Sequence, residues 1–269
     1  MPTPPLPPSS SSSTFSGCTV LPSLHDLPSA AAAGDVAAVA AILEQVGPSY
    51  GPDFPDLLAR SLSLAVTNDR CAVVSLLLSL SAGAAEITPE LVLSVPAGSA
   101  NIFQLLVAAS RERPMPFSVA TEAIRSSFTL EMMGRKSSDL EKYHNATKEM
   151  KETYVSVSDF IRIDKFNFSS SLDASTNKLQ ASVPNSASPT TAPLLKLVVN
   201  DFPYNFSPDV THMVLWKVGE GAITGSEIEA AVEELRREGA EECSWWINPP
   251  HLKSIKDLDH AHILARKKT

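Results

Sequence analysis

Two small-residue helical units repeated at a fixed spacing constrain this chain more than any other feature. Ala30 to Leu43 reads as one unit: an alanine-rich helix, a Gly34-Asp35 break, then a second helix with its apolar stripe at Val36, Val39, Ala40 and Leu43. A related unit has Leu62 to Val66 in its first helix, Asn68-Asp69 as the break and Ala72 to Leu78 in its second. Aligning the breaks sets Ala38-Val39 and Ile42-Leu43 opposite Ala72-Val73 and Leu76-Leu77. A third unit starts at Thr88-Pro89, where proline suits a first helical turn. It is interrupted from Pro96 to Ser99 and rebuilds its face with Ile102, Phe103, Leu105 and Leu106. Alanines let helices approach closely, and each pair leaves an apolar face that only a neighbouring pair can cover.

The breaks lie about one 33-residue period apart. Over residues 24–133 the chain therefore resembles ankyrin repeats of a degenerate kind. The T-P-L-H signature is missing, with only Ser23-Leu24-His25 matching its end, and a plain bundle of small helices is the rival reading. The resemblance implies a scaffold that binds a protein partner.

Two stretches cannot build a core. Residues 1–17 are rich in proline and serine, and 169–193 in Ser, Thr, Asn, Ala and Pro, so both are expected to be disordered, the second as an insertion between apolar segments. PPLPP within the first is a short proline-helix ligand or simply part of a flexible tail. The start lacks the basic and apolar regions of a secretory signal, and the longest apolar run, Val73 to Leu80, is broken by serines. Cytosol or nucleus is the expected location, which makes the N-x-[ST] matches at Asn145, Asn167 and Asn205 coincidental. Cys18, Cys71 and Cys243 have no metal or redox spacing, and a net charge of -8 argues against nucleic acid as a partner.

After Arg135 the pattern changes. Ser138 to Glu141 form a capping box for a charged surface helix over 138–152, with a narrow stripe of Leu140, Tyr143, Ala146 and Met150. A short helix over 156–163 turns Val157, Phe160 and Ile161 inward. Strands are expected at 194–199, 212–218, 243–247 and 261–265, with an amphipathic helix over 226–238 ended by Gly239. The fold class is thus multidomain: all-α ankyrin-like helical repeats followed by a small α+β domain over 135–268.

Three blocks in that second half carry a further resemblance: RKSSDLEKYHNATKEMKETYVSVSDFI, NDFPYNFSPDVTHMVLWKVG and CSWWINPPHLKSIKDLDHAHILARK. In their order and spacing they resemble the fungal N-acetylglucosamine-induced protein family, which has no assigned biochemical activity. The resemblance implies a family and supplies no mechanism.

His260-Ala261-His262 is the sharpest local feature, because alternate residues of a strand share a face. Both imidazoles are expected side by side at one edge of a β-layer, open to solvent beneath proline-bent loops. In one reading the strand resembles that of histidine-triad nucleotide-binding proteins, with His260 and His262 as catalytic candidates and Asn248 and the His212 strand completing a phosphate-directed site. One histidine of that triad is absent, being Leu258 or Leu264. A second reading joins both imidazoles with His212 or His251 as metal ligands, with Asp257 or Asp259 adding a carboxylate. In the third the rings hydrogen-bond loop carbonyls and pack beneath Trp245 or Trp246. Asn200, Asp201, Tyr204, Asn248 and His251 on the NDFPY and WINPP loops would line a pocket for a sugar or nucleotide, or merely shape the core. Lys253, Lys256, Arg266, Lys267 and Lys268 make the C-terminus locally basic, a solvated tail or a source of phosphate attraction. No cofactor fingerprint, Walker loop, G-x-S-x-G elbow or kinase signature occurs.

Overall fold

A computed structural model of the chain describes residues 23–46, 54–80, 87–126, 130–182 and 193–267. The tail read at 1–17 lies outside them. The first half is built of helix pairs: α1 (Leu27–Ala33) and α2 (Val36–Val46), α3 (Phe54–Thr67) and α4 (Cys71–Leu80), then α5 (Pro89–Leu93), α6 (Ala100–Arg111) and α7 (Phe117–Ser126). α1 packs on α3, and α2 and α6 both pack on α4, so neighbouring pairs do cover each other's apolar faces. Gly34 ends α1 at a positive φ of 81° and sits so close to the Arg70 side chain that an added Cβ would lie 2.8 Å from its Cδ. From there Arg70 Nε donates to Ala32 O at 3.1 Å, tying the first break to the second. At the second break it is Asp69, not Asn68, that adopts the left-handed conformation. Thr88 caps α5 by accepting from Leu91 N. These contacts define stacked helix pairs.

α8 (Ser137–Thr153) and α9 (Val157–Phe166) follow. The expected Ser138–Glu141 box does not form. α8 starts one residue earlier, and Ser137 donates its N–H and its hydroxyl to the Glu112 carboxylate just past α6, so a distant acid replaces the local cap. Ser156 caps α9 by accepting from Asp159 N at 3.0 Å.

The stretch read as a disordered insertion holds a hairpin, β1 (Ser170–Leu172) paired antiparallel with β2 (Leu179–Ala181). Hydrogen bonding substitutes for the missing apolar residues. Asp173 accepts from Ser175 and Thr176 in the turn, Ala181 N donates to Asp159, and Val155 N donates to Leu179 O. Residues 183–192 lie outside the described residues.

The main sheet contains β3 (Leu194–Val199), β4 (Val210–Val218), β5 (Glu242–Trp246) and β6 (Asp259–Arg266), with α10 (Gly225–Arg237) between β4 and β5. All pairings are antiparallel and the order is β3-β4-β6-β5. β6 is therefore an interior strand, which corrects the expectation of an edge. The chain passes through α10 to the far side, lays down β5, and returns to fill the gap beside β4.

Strand parity divides the sheet into two faces. Leu215, Ala261, Ile263 and Ala265 pack beneath Ile228, Ala231, Val232 and Leu235 of α10, whose start is fixed by a Thr224–Glu227 capping box. The opposite face carries His212, Val214, Trp216, Trp246, His260, His262 and Leu264. Part of it packs on Ile161 of α9, while Trp246 and Leu264 join the same core as the helix pairs. The loop after β3 strengthens that junction, since Met115 N donates to Asn205 O, Ser207 N to Met115 O, and Asn205 Nδ2 to Arg111 O. Packing thus crosses the boundary read near 133–135.

Candidate functional site

Directly paired residues of an antiparallel sheet share a face, so the register brings the histidines together. His262 pairs with Val214 and His260 with Trp216, which sets His212 one diagonal step from His262. His212 Nε2 and His262 Nδ1 are 3.0 Å apart. Tyr204 N donates to His212 Nδ1 at 3.2 Å, and Asn200 Nδ2 stands 3.4 Å from the same nitrogen. At the other end, His262 Nε2 is 3.0 Å from Asn248 Nδ2. Trp246 Nε1 donates to Asn248 Oδ1 at 2.8 Å, and Asn248 Nδ2 also donates to the Tyr204 hydroxyl at 3.2 Å. Trp246 stacks on both rings, with centroids 4.8 Å from His262 and 5.6 Å from His212.

This string has donors at both ends. Two neutral imidazoles hold two N–H groups and two lone pairs, and the contact between them uses one of each. The remaining N–H must face a fixed donor, and a further proton would add a second such meeting. Burial acts in the same direction: it pushes His212 down to about 3, helped by the Arg135 charge, and pushes His262 well below its ordinary value, helped by His212 and His260. Burial thus favours the neutral form of both rings near pH 7.

His260 differs. Its Nδ1 donates to Leu258 O at 3.0 Å, so in the neutral ring the lone pair is on Nε2. Burial lowers its pKa, against the pull of the Leu258 carbonyl. The ring rests against Trp216 at 4.7 Å between centroids and lines a cleft between the sheet, α8 and α9. The cleft has about 650 Å³ of free space with its open mouth included, and Tyr143, Phe160, Phe202, Trp216 and Ile255 give it a largely apolar wall.

Arg135 is the cation of this cleft. Its Nε donates to Phe202 O at 2.9 Å, and its guanidinium carbon lies 4.1 Å from the centre of the Tyr143 ring and 5.2 Å from that of Tyr204. Burial lowers its pKa, and among the described residues no carboxylate lies within ion-pair distance of it. Lys165 is neutralised: its Nζ is 2.8 Å from Asp201 and 3.0 Å from Asp164, and although burial opposes its charge these partners raise its pKa.

The sequence-derived candidates therefore separate. Tyr204, His212, Asn248 and His262 meet in one string that Asn200 adjoins, while His260, His262, Asn200 and Asp201 line the cleft. The rings are buried, His260 at 4% exposed, and not open to solvent, because β6 is interior and covered by α9 and the helix pairs. His251 stands apart, exposed and 3.1 Å from Glu131. Arg266 is drawn off by Glu242 and by the Phe117 ring. Lys253 pairs with Asp259, which also accepts from Ile223 N. The metal-site reading fails on this geometry: two ring nitrogens face each other, a third faces a carbonyl, and among the described residues no three His, Cys, Asp or Glu side chains converge to hold an ion.

Sequence reasoning missed Arg135, Tyr143 and Trp216, and it left Trp245 and Trp246 undivided. Parity with Asn248 assigns Trp246 to the histidine face, whereas Trp245 turns to α10 and donates to Glu229 at 2.7 Å. No local pattern announces Arg135, whose partner Phe202 is 67 positions away. Among the described residues no helix is long and apolar enough to cross a membrane.

A mixed helix-and-sheet protein with a histidine-floored cleft is the class these features define. The chain belongs to the family described as "Protein of unknown function (DUF3605)", whose pattern matches residues 119–266. An uncharacterised protein of Saccharomyces cerevisiae, YPL067C, is 33% identical over 81 aligned residues, covering 24% of this chain and 40% of that relative's own length. A crystal structure of HTC1 aligns with 57% of this chain and 86% of that chain at 22% identity and a TM-score of 0.36.

Proposed function

We propose that the second half of this protein binds a small anionic ligand with a flat or apolar body, a phosphorylated sugar or nucleotide being the class that fits. The observation that carries this reading is Arg135, a cation without a carboxylate partner among the described residues, beside a neutral His260 in an aromatic-walled cleft. A guanidinium already spread over two aromatic rings, and with no carboxylate partner among the described residues, keeps its outer N–H groups for a ligand acceptor. His260 Nε2 would accept a hydrogen bond from the ligand. The test is a thermal-shift panel of nucleotides and sugar phosphates on the full chain, with Arg135→Gln and His260→Ala beside it. Compounds that stabilise the natural chain should lose their effect on both variants; an undiminished shift on both sinks the reading.

A second reading makes His260 a nucleophile toward phosphorus, in the manner of histidine-triad proteins. The Leu258 carbonyl favours it, because holding Nδ1–H leaves Nε2 as the attacking lone pair. Phosphorus would gain the Nε2 bond as the leaving oxygen departs with its electrons, and water would later release the phosphate. A phosphate adduct on His260, trapped at alkaline pH and found by mass spectrometry, separates catalysis from plain binding.

The helix pairs are read as ankyrin-like and as the surface for a protein partner, in the cytosol or nucleus. Support comes from the matched breaks at Gly34 and Asp69 and the stacking of α1 on α3. Equal partner recovery by chains with and without charge-reversing substitutions on the exposed surface of these helices would count against it.

A further inference from the structure

Beyond the histidine cleft the same surface continues outward. Val157, Ser254 and Ile255 line both the cleft and a second, shallower groove, whose other walls carry Lys151, Lys178 and Lys256. These three ammonium groups make no ion pair within 4 Å among the described residues, and Asp257 is the one carboxylate on the groove wall. Other basic side chains nearby are matched by acids: Lys165 by Asp164 and Asp201, Lys253 by Asp259, Lys217 by Glu227. In a chain of net charge -8, three unmatched lysines on one groove are a local reversal of sign. Lys178 is also positioned, since its Nζ donates to Lys151 O at 2.5 Å. That bond joins the hairpin turn to the end of α8.

We propose that this groove holds a second anionic group of the ligand, so that the molecule is elongated: one anion against Arg135 in the cleft, and a phosphate chain running past Ile255 onto Lys151, Lys178 and Lys256. The inference rests on the cleft reading for where the ligand begins and adds the polyanionic character of its far end. Exposed ammonium groups act as point charges toward phosphate oxygens, so each contributes modestly and their contributions build with the number of charges on the ligand. A ligand with one phosphate would engage the cleft and leave the groove empty.

The experiment uses inorganic triphosphate and inorganic orthophosphate as probes, titrated calorimetrically into the full chain at low ionic strength. Triphosphate should bind the natural chain more tightly than orthophosphate, and the Lys178→Gln, Lys256→Gln double variant should lose about tenfold in triphosphate affinity. Orthophosphate binding should be unchanged in that variant and lost in Arg135→Gln. A control with Arg236→Gln and Arg237→Gln on α10, across the sheet, should bind both probes normally. No triphosphate binding by the natural chain, equal binding by the groove variant, or an equal loss in the α10 control each overturns the groove. Retained orthophosphate binding in Arg135→Gln overturns the cleft reading instead, so the two failures are told apart.

Discussion

The two faces of one sheet follow different rules. Beneath α10, Ala261, Ile263 and Ala265 of β6 meet Ile228, Val232 and Leu235, and nothing there needs orientation beyond fit. On the other face the same strand presents His260 and His262, where position is set by hydrogen bonds to Leu258 and His212 and by the stacked Trp246 ring. An apolar face tolerates small repacking and loses stability in proportion to volume removed. A buried polar string is intolerant in another way, because removing one member strands its neighbours.

The largest expected effect is on the apolar face. Ile263→Ala, at a fully buried position, should cost about 3–4 kcal/mol in denaturant unfolding. A loss under 1 kcal/mol would mean that α10 is not seated as described. Asn248→Leu comes next. It keeps the volume but leaves Trp246 Nε1–H without its acceptor and the Tyr204 hydroxyl without its donor, and should cost about 2–3 kcal/mol.

Acid should weaken the polar face selectively. His212 and His262 have folded pKa values below 6.5, so the unfolded chain takes up protons first as pH falls. Their stabilising contribution is complete above 6.5 and is lost as pH falls toward about 3. Unfolding free energy measured between pH 7 and 5, above the range of ordinary carboxylates, should decline, and His212→Phe should flatten that decline even if the variant is less stable throughout. The smallest effect falls on His260→Gln, which should change stability by less than about 1 kcal/mol, since the ring's one bond to protein is to a carbonyl that the glutamine amide can also reach. Its consequence should appear in ligand binding alone.

Much of this division is written in the alternation of β6, where Ala261 between two histidines and the apolar run from Ile263 announce a strand with both imidazoles on one side. The choice of Asn248 and His212 as companions also followed from residue type. Burial of the strand was not legible, because strand order depends on the path through α10 and β5 and not on β6 itself. The hairpin over 170–181 was hidden for a different reason. It has few large apolar side chains and is fixed by Asp173, Asp159 and main-chain bonds that composition does not reveal. Arg135 reads only as the point where the pattern changes, ahead of the charged helix, and only the fold brings it over Tyr143 and Tyr204.

The most direct test of the cleft is long-range proton–nitrogen NMR of the histidine rings in the full chain, with and without orthophosphate. His260 should be neutral at pH 7 with its hydrogen on Nδ1, and its Nε2 resonance should move when the anion binds, while His212 stays still. A hydrogen on Nε2 of His260, or a spectrum indifferent to every anion offered, would contradict the assignment of this cleft as a binding site.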